Sequence, residues 1–361
     1  MQLHSLKKSL LLTFLITLFF SFSSFAQSNL SQGIQLFNQG ELSKAKNFFS
    51  NSINSEKQNP VANFYLGRVY FDEGDFEKAT DWIEKAAKYD KDNSTYYMWL
   101  GHSYGRRAQN AGKLKQAFLA RDSRNNYEKA IELDPTNVEA RESAMEFYLQ
   151  APGFMGGGRD KAEAQAEAIN NLDKETGYMA WGRVYSYYNE DEKSFNNYSE
   201  AIKEFPSAME PYYSLFSFYF SNEEYEEAAD ITRKQLSYND TTATIYYNLG
   251  NALQWSDQFD KAIDAYQKAL KINPEFYSTW YQIGRLAAVS NTYVSEGEEY
   301  LIKLVSVDEQ INSNILAWAH YRLGTIYENK SSLKSAKEQY QMTLQIDNTH
   351  EEAKIALSRV L

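Results

Sequence analysis

The sequence predicts an all-α fold, a solenoid of about nine helix–turn–helix repeats closed by a C-terminal capping helix. Three observations carry that expectation. Apolar residues recur at helical spacing along most of the chain. One 34-residue pattern returns repeatedly. Six prolines and 17 glycines in 361 residues are too few for a linker-rich or all-β chain, and 43% hydrophobic with 24% charged residues marks a folded one.

The pattern is clearest from Thr241 to Pro274. In its first helix Tyr246, Leu249, Gly250 and Leu253 fall at i, i+3, i+4 and i+7. In its second, Phe259, Ala262, Ile263, Tyr266, Ala269 and Leu270 keep the rhythm. Each set lies on one helical face. Gly250 and Ala262 are small where paired backbones must come close. Asn273-Pro274 ends the second helix, because proline lacks the N–H and disfavours helix at the residue before it. A hairpin with two apolar sides cannot bury both alone, so it needs neighbours.

The chain opens on a predicted secretory signal, residues 1–26. Lys7 and Lys8 precede an apolar run, Ser9 to Phe22, and the small residues Ser24 and Ala26 precede a cut before Gln27. A retained anchor is the other reading, although the run is short for a ~20-residue span. With no cysteine, a lipid-anchored cysteine, disulfides and thiolate chemistry are all excluded. The expectation is an exported chain, periplasmic or secreted, with 27–361 as one continuous repeat array.

Aligned on the small residue of each first helix, the copies fall at Gly33, Gly67, Gly101, Ala144, Gly182, Phe216, Gly250, Gly284 and Gly324. The intervals are 34, 34, 43, 38, 34, 34, 34 and 40 residues. The first copy also has Ala45 and Phe49, and the second Gly74, Ala79 and Ile83. The third starts as YMWLG at 97–101 and then adds about ten residues before Tyr127, by longer helices or a turn at Ala111-Gly112. The fourth breaks at APGFMGGG, Ala151 to Gly158, a run that cannot continue a helix cheaply. The fifth has Tyr198 and Ala201. The sixth replaces the glycine by Phe216 but keeps Ala228. The eighth has a degraded second helix around Gly297 to Val305, with an exit reaching Asn314. The ninth has Ala336 and Tyr340, and a last helix from His350 to Leu361 covers its open side. The irregular stretch is 95–174, with insertions at 105–115 and 151–158.

A 34-residue helix–turn–helix period resembles the tetratricopeptide repeat (TPR) over nearly all of the chain after residue 26. The resemblance implies a right-handed superhelix with the first helices on its concave face and a partner segment held there. The stretch GRRAQNAGKLKQAFLAR, with AxxFYLxAPGFMGGG after it, is similar to a block in exported bacterial members of that family. Carried onto this chain, the family's groove positions include Arg68, His102, Arg183, Asn251 and Arg285 just after the small residue. Three residues before it stand Tyr213, Tyr247, Tyr281 and Tyr321. Tyrosine and arginine favour binding hot spots. Equally, the tyrosines can simply fill the inner side of the superhelix. The carboxylate clamp of chaperone-tail members is not matched: Asn251 fits one position, but Tyr247 stands where lysine belongs, and Ser278 and Gln282 fill the next repeat's positions.

Other chemistry is poorly supported. His4, His102, His320 and His350 show no ligand spacing, so neither metal nor other cofactor is expected. No nucleophile motif occurs, and the abundant carboxylates sit at exposed repeat positions. GFMGGGRD lacks the lysine and Ser/Thr of a phosphate loop, which leaves a connecting loop, or an anion or partner site at the following helix with Arg159 assisting. The net charge is −11, and near −13 without residues 1–26. Nucleic acid is a poor partner for that balance. Against it stands a basic island, Arg106, Arg107, Lys113, Lys115, Arg121 and Arg124: a solvated helix face, or a dock for an acidic peptide or an anionic surface. With Arg159 it forms a candidate second surface. The functional expectation is a non-catalytic scaffold that captures a protein or peptide. The alternative is a solenoid binding envelope glycan on stacked Tyr and Trp rings.

Overall fold

The computed structural model describes residues 30–307 and 311–361, so the expected signal at 1–26 lies outside the described residues. Among them there is no strand, and helices pair in order. The first three hairpins are α1 (30–38) with α2 (Leu42–Ser55), α3 (Pro60–Asp72) with α4 (Phe76–Tyr89), and α5 (Ser94–Gln109) with α6 (Lys113–Leu133). The next three are α7 (Val138–Gln150) with α8 (Arg159–Leu172), α9 (Lys174–Tyr187) with α10 (Asp191–Glu204), and α11 (Glu210–Ser221) with α12 (Tyr225–Leu236). Then come α13 (Ala243–Trp255) with α14 (Phe259–Ile272), α15 (Tyr277–Ser290) with α16 (Val294–Ser306), and α17 (Ser313–Asn329) with α18 (Leu333–Ile346). A last helix, α19 (Glu351–Arg359), packs Ala356 and Val360 with Ala336 and Tyr340. The chain is thus the expected all-α helical-repeat solenoid. It divides into two compact units, one ending at Ser194 and the other running Phe195–Leu361.

One packing rule builds the hairpins. A Cβ added at Gly33, Gly101 or Gly250 would stand 2.4 Å from a ring carbon of Phe48, Tyr127 or Tyr266, each on the second helix of the same hairpin. At Gly67 and Gly284 the intruder is Ile83 or Leu301, at 2.5 and 2.2 Å. The small residue is therefore the socket for a large one. The sixth hairpin exchanges the sizes: Phe216 stands at the socket position, and Thr232 is the counterpart of Tyr266. Alanine recurs, fully buried, at Ala45, Ala79, Ala228, Ala262 and Ala336. Ser123 and Ser194 take that place in two other copies and donate hydrogen bonds to the carbonyls of Gly101 and Gly182, at 2.7 and 2.9 Å.

The turns inside the hairpins repeat a left-handed residue. Gly40 (φ 74°) and Gly74 (φ 82°) fill it first, then Asn189, Glu223, Asp257, Asn291 and Ser331 at φ 55–63°. Positive φ strains every residue but glycine, asparagine and aspartate least. Between hairpins, side chains cap the incoming helix: Asn59 and Asn137 accept the backbone N–H of Ala62 and Ala140.

The irregular copies resolve as follows. In the third, both helices lengthen and residues 110–112 make the turn. In the fourth, residues 151–158 form a loop with one short 3-10 turn, Gly153–Met155. The second helix of the eighth hairpin is not degraded: α16 is a full 13 residues. Gly297 permits a close crossing there, since a Cβ on it would meet the Ala287 methyl at 2.2 Å. The exit after it is also shorter than expected, because Asn314 already lies in α17.

Candidate interaction faces

In the unit ending at Ser194, His102 and Arg183, but not Arg68, line one cleft. It is about 360 Å³, lined by His102, Glu139, Glu142, Ser143, Glu146 and Arg183 among others. Glu139, Glu142 and Glu146 are spaced three and four apart on α7 and so share a face. Arg183 from α9 pairs with Glu142 at 2.8 Å and lies 3.6 Å from Glu146. These carboxylates were absent from the sequence expectation, although their spacing was visible.

His102 is held by its neighbours. Its Nδ1 lies 2.9 Å from the Tyr127 hydroxyl and its Nε2 3.4 Å from Ser143 Oγ. Burial, with the nearby Arg68 charge, pushes the imidazole down to about 4. It is therefore neutral at physiological pH and a weak base. Ser143 donates to the Glu139 carbonyl at 2.8 Å, and the surrounding carboxylates oppose an oxyanion. The pair is not arranged as an activated nucleophile.

Arg68, on α3, lies over Trp99 with its guanidinium carbon 3.2 Å from the ring centroid. Its Nε is buried without a hydrogen-bond partner, and burial lowers its proton affinity. Phe64 and Met98, three residues before their sockets, are buried in the core. No row of exposed rings forms in this unit from those positions.

The unit from Phe195 onward presents the opposite charge on the corresponding helices. Arg285 on α15 lies over Trp255 at 4.3 Å, and Arg322 on α17 over Trp318 and Tyr321 at 5.3 and 5.1 Å. The charged neighbour of Arg285 is Arg322; its remaining ionisable neighbours are the hydroxyls of Tyr281, Tyr266 and Tyr225. Burial first, then Arg322, lowers its proton affinity. Among the described residues neither arginine has an acidic partner, and Arg322 Nε is buried without a hydrogen bond. Sequence reasoning missed Arg322, which precedes its socket where the other arginines follow theirs.

The expected tyrosines and asparagine are largely occupied. Tyr247 packs on Tyr266 and Phe276. Tyr321 packs on Trp318, Tyr340 and His350. Tyr281 joins the cluster around Leu301 and Leu323, and Tyr213 is half-buried beside Gln235. Asn251 bonds the Tyr266 hydroxyl at 2.8 Å. These side chains pack within and between the hairpins, and Arg285 and Arg322 remain without an acidic partner among the described residues.

Each arginine of the candidate second surface has its own partners. Arg106 bonds Gln109 and lies over Phe76, and Arg107 lies 3.7 Å from Glu77. Arg159 is locked between Glu163 and Glu190 at 2.7 and 2.5 Å. Both carboxylates raise its proton affinity further. The glycine loop is closed on itself. The N–H groups of Gly156, Gly157 and Gly158 donate to the carbonyls of Gly153, Pro152 and Tyr148, so they do not point outward to cradle a phosphate. Among the described residues no three histidines, aspartates or glutamates gather as metal ligands, and no helix is long and apolar enough to cross a membrane.

The Tetratricopeptide repeat family models match residues 36–100 and 243–276. Those segments are tetratricopeptide repeats. They hold α2–α4 with the first part of α5, and the α13–α14 hairpin. No curated protein matches the chain. Among solved structures, a thermophilic TPR protein of Thermus thermophilus is similar at 19% identity, over 52% of this chain and 94% of that one, with TM-score 0.43. A TPR protein of Parabacteroides merdae is similar at 15% identity, over 70% of this chain and 95% of that one, with TM-score 0.49. Yeast Tom70 is similar at 11% identity, over 94% and 88%, with TM-score 0.41. Tetratricopeptide repeats mediate protein interactions.

Proposed function

We propose that the chain is a non-catalytic scaffold that captures an extended protein segment on its first-helix faces, and that the segment carries a carboxylate. One observation carries the reading: Arg285 and Arg322 stand side by side on aromatic supports without an acidic partner among the described residues. Two like charges held together in a partly buried place favour an anion between them. Guanidinium forks match carboxylates in a bidentate fashion. The apolar run at 9–22 and the small residues before Gln27 support export to the envelope.

The glycan alternative asks for free ring faces, and guanidinium groups cover Trp99 and Trp255. The test is a peptide library displayed against the full chain, with a glycan array in parallel. Enriched peptides should carry Asp, Glu or a free C-terminus, and Arg285→Gln with Arg322→Gln should lose them. Enrichment without carboxylates, or saturable sugar binding with no enriched peptide, would overturn the proposal.

A further inference from the structure

The tip of the α5–α6 hairpin is unlike the rest of this acidic chain. From Gly105 to Arg121 there are five cations, Arg106, Arg107, Lys113, Lys115 and Arg121, and no acid. The tip is also longer than its neighbour: α6 has 21 residues where α4 has 14. At ~1.5 Å per residue the added turns extend it by roughly 10 Å at the turn end. Leu114 is 78% exposed and Phe118 53%. One turn apart, they form a single stripe. Lys113 and Lys115 flank Leu114, both exposed, and neither makes an ion pair among the described residues. The acids facing the island are Glu77, 3.7 Å from Arg107, Asp122, 3.5 Å from Arg121, and Asp75, which lines a cleft with Arg107 and Lys115.

The second interruption of the repeat pattern is built against the first. Met155 packs with Ala108, Leu119 and Ala120. A Cβ on Gly156 would meet the Arg124 guanidinium at 2.2 Å. The loop is thereby fixed beside α6, with Phe154 82% exposed at its 3-10 turn.

We propose that this tip is a contact for an anionic membrane surface. Leu114, Phe118 and Phe154 enter the headgroup boundary, while Lys113, Lys115 and Arg106 meet the lipid phosphates. Exposed apolar side chains beside unpaired lysines supply the two signals that peripheral binding needs. The shape favours a bilayer over a protein. Clefts adjoin the tip on both sides, one lined by Arg107, Lys115 and Leu119 and the other by Gln116, Ala120 and Met155. Neither is lined by Leu114, Phe118 or Phe154. These side chains stand proud, which a deformable apolar phase accepts without a matching socket.

The chain has no cysteine, so one introduced thiol can carry an environment-sensitive fluorophore. The full chain would be labelled at Leu114→Cys, at Phe118→Cys, and at Ile355→Cys on α19 as a control, with circular dichroism confirming the fold. Each is mixed with vesicles of phosphatidylcholine, alone or with phosphatidylglycerol. A blue shift at 114 and 118 on the anionic vesicles alone, with none at 355, is expected. Lys113→Glu with Lys115→Glu should lower the apparent vesicle affinity about tenfold or more. A retained apolar run at 9–22 would bring the whole chain to vesicles without moving these labels into the boundary. The proposal is overturned by silent labels at 114 and 118, by equal shifts on neutral vesicles, or by shifts that appear only with a soluble acidic protein.

Discussion

The ring of Tyr266 occupies the space where Gly250 has no side chain. A Cβ on Gly250 would stand 2.4 Å from Tyr266 Cε1, and the ring is fully buried. Its hydroxyl bonds the carboxamides of Asn251 and Gln254, at 2.8 and 2.7 Å. Gly250→Ala should therefore overpack the hairpin and destabilise by about 1–3 kcal/mol, read from urea unfolding. Protection against hydrogen exchange should fall most in α13 to α15, because repeats couple through nearest neighbours. Equal loss from α11 to α19 would contradict the socket rule.

Glu223 holds the left-handed turn position at φ 63°. Glu223→Gly should raise stability by about 0.5–1 kcal/mol, since relieved strain of ~1–2 kcal/mol outweighs the entropy glycine loses on folding. Asn291→Gly, starting from a residue that tolerates the conformation, should gain less. Thermal unfolding of the pair decides it.

Two glycines of the loop make an internal control. A Cβ on Gly157 would run into the Ala151 carbonyl oxygen at 1.7 Å, whereas one on Gly153 meets nothing within 4 Å. Gly157→Ala should cost about 2 kcal/mol or more and release Met155 from its cluster. Gly153→Ala should be near neutral. Equal costs would mean that the loop is not the closed turn described.

His102 makes stability depend on pH. Its ordinary value is 6.5 and burial lowers it to about 4. Between those values the unfolded chain binds more protons, so stability falls as the pH drops from 6.5 towards 4. The full penalty, reached below the folded value, is at most about 3 kcal/mol. His102→Gln should flatten that part of the curve. An unchanged pH profile of the denaturation midpoint would show that the imidazole is not buried as described.

The repeat was legible because sockets are conspicuous: Gly33, Gly67 and Gly250 each announce a large side chain in the next helix. The extra residues of the third hairpin were legible from the repeat interval, though not whether they lengthen helices or add a turn, and the open fourth was legible because proline and glycine clusters break a helix wherever they stand. What stayed hidden depends on the second helix or on the next hairpin. Asn251 read as a groove residue, yet Tyr266 already engages it. Arg159 read as assisting an anion or partner site, yet Glu190 reaches it from the following hairpin. Arg285 and Arg322 are 37 positions apart in sequence, and only the packing of α15 beside α17 makes them neighbours. The direction of the loop N–H groups was likewise invisible, because glycine count does not say which way a backbone donor points.

Charge reversal decides whether Arg285 and Arg322 select a carboxylate. Peptides enriched on the full chain would be titrated against the wild type and against Arg285→Glu with Arg322→Glu, beside copies whose Asp and Glu are changed to Lys. The wild type should bind the acidic peptides, and the reversed variant the lysine copies instead. Unchanged preference for the acidic peptides in the reversed variant would contradict it.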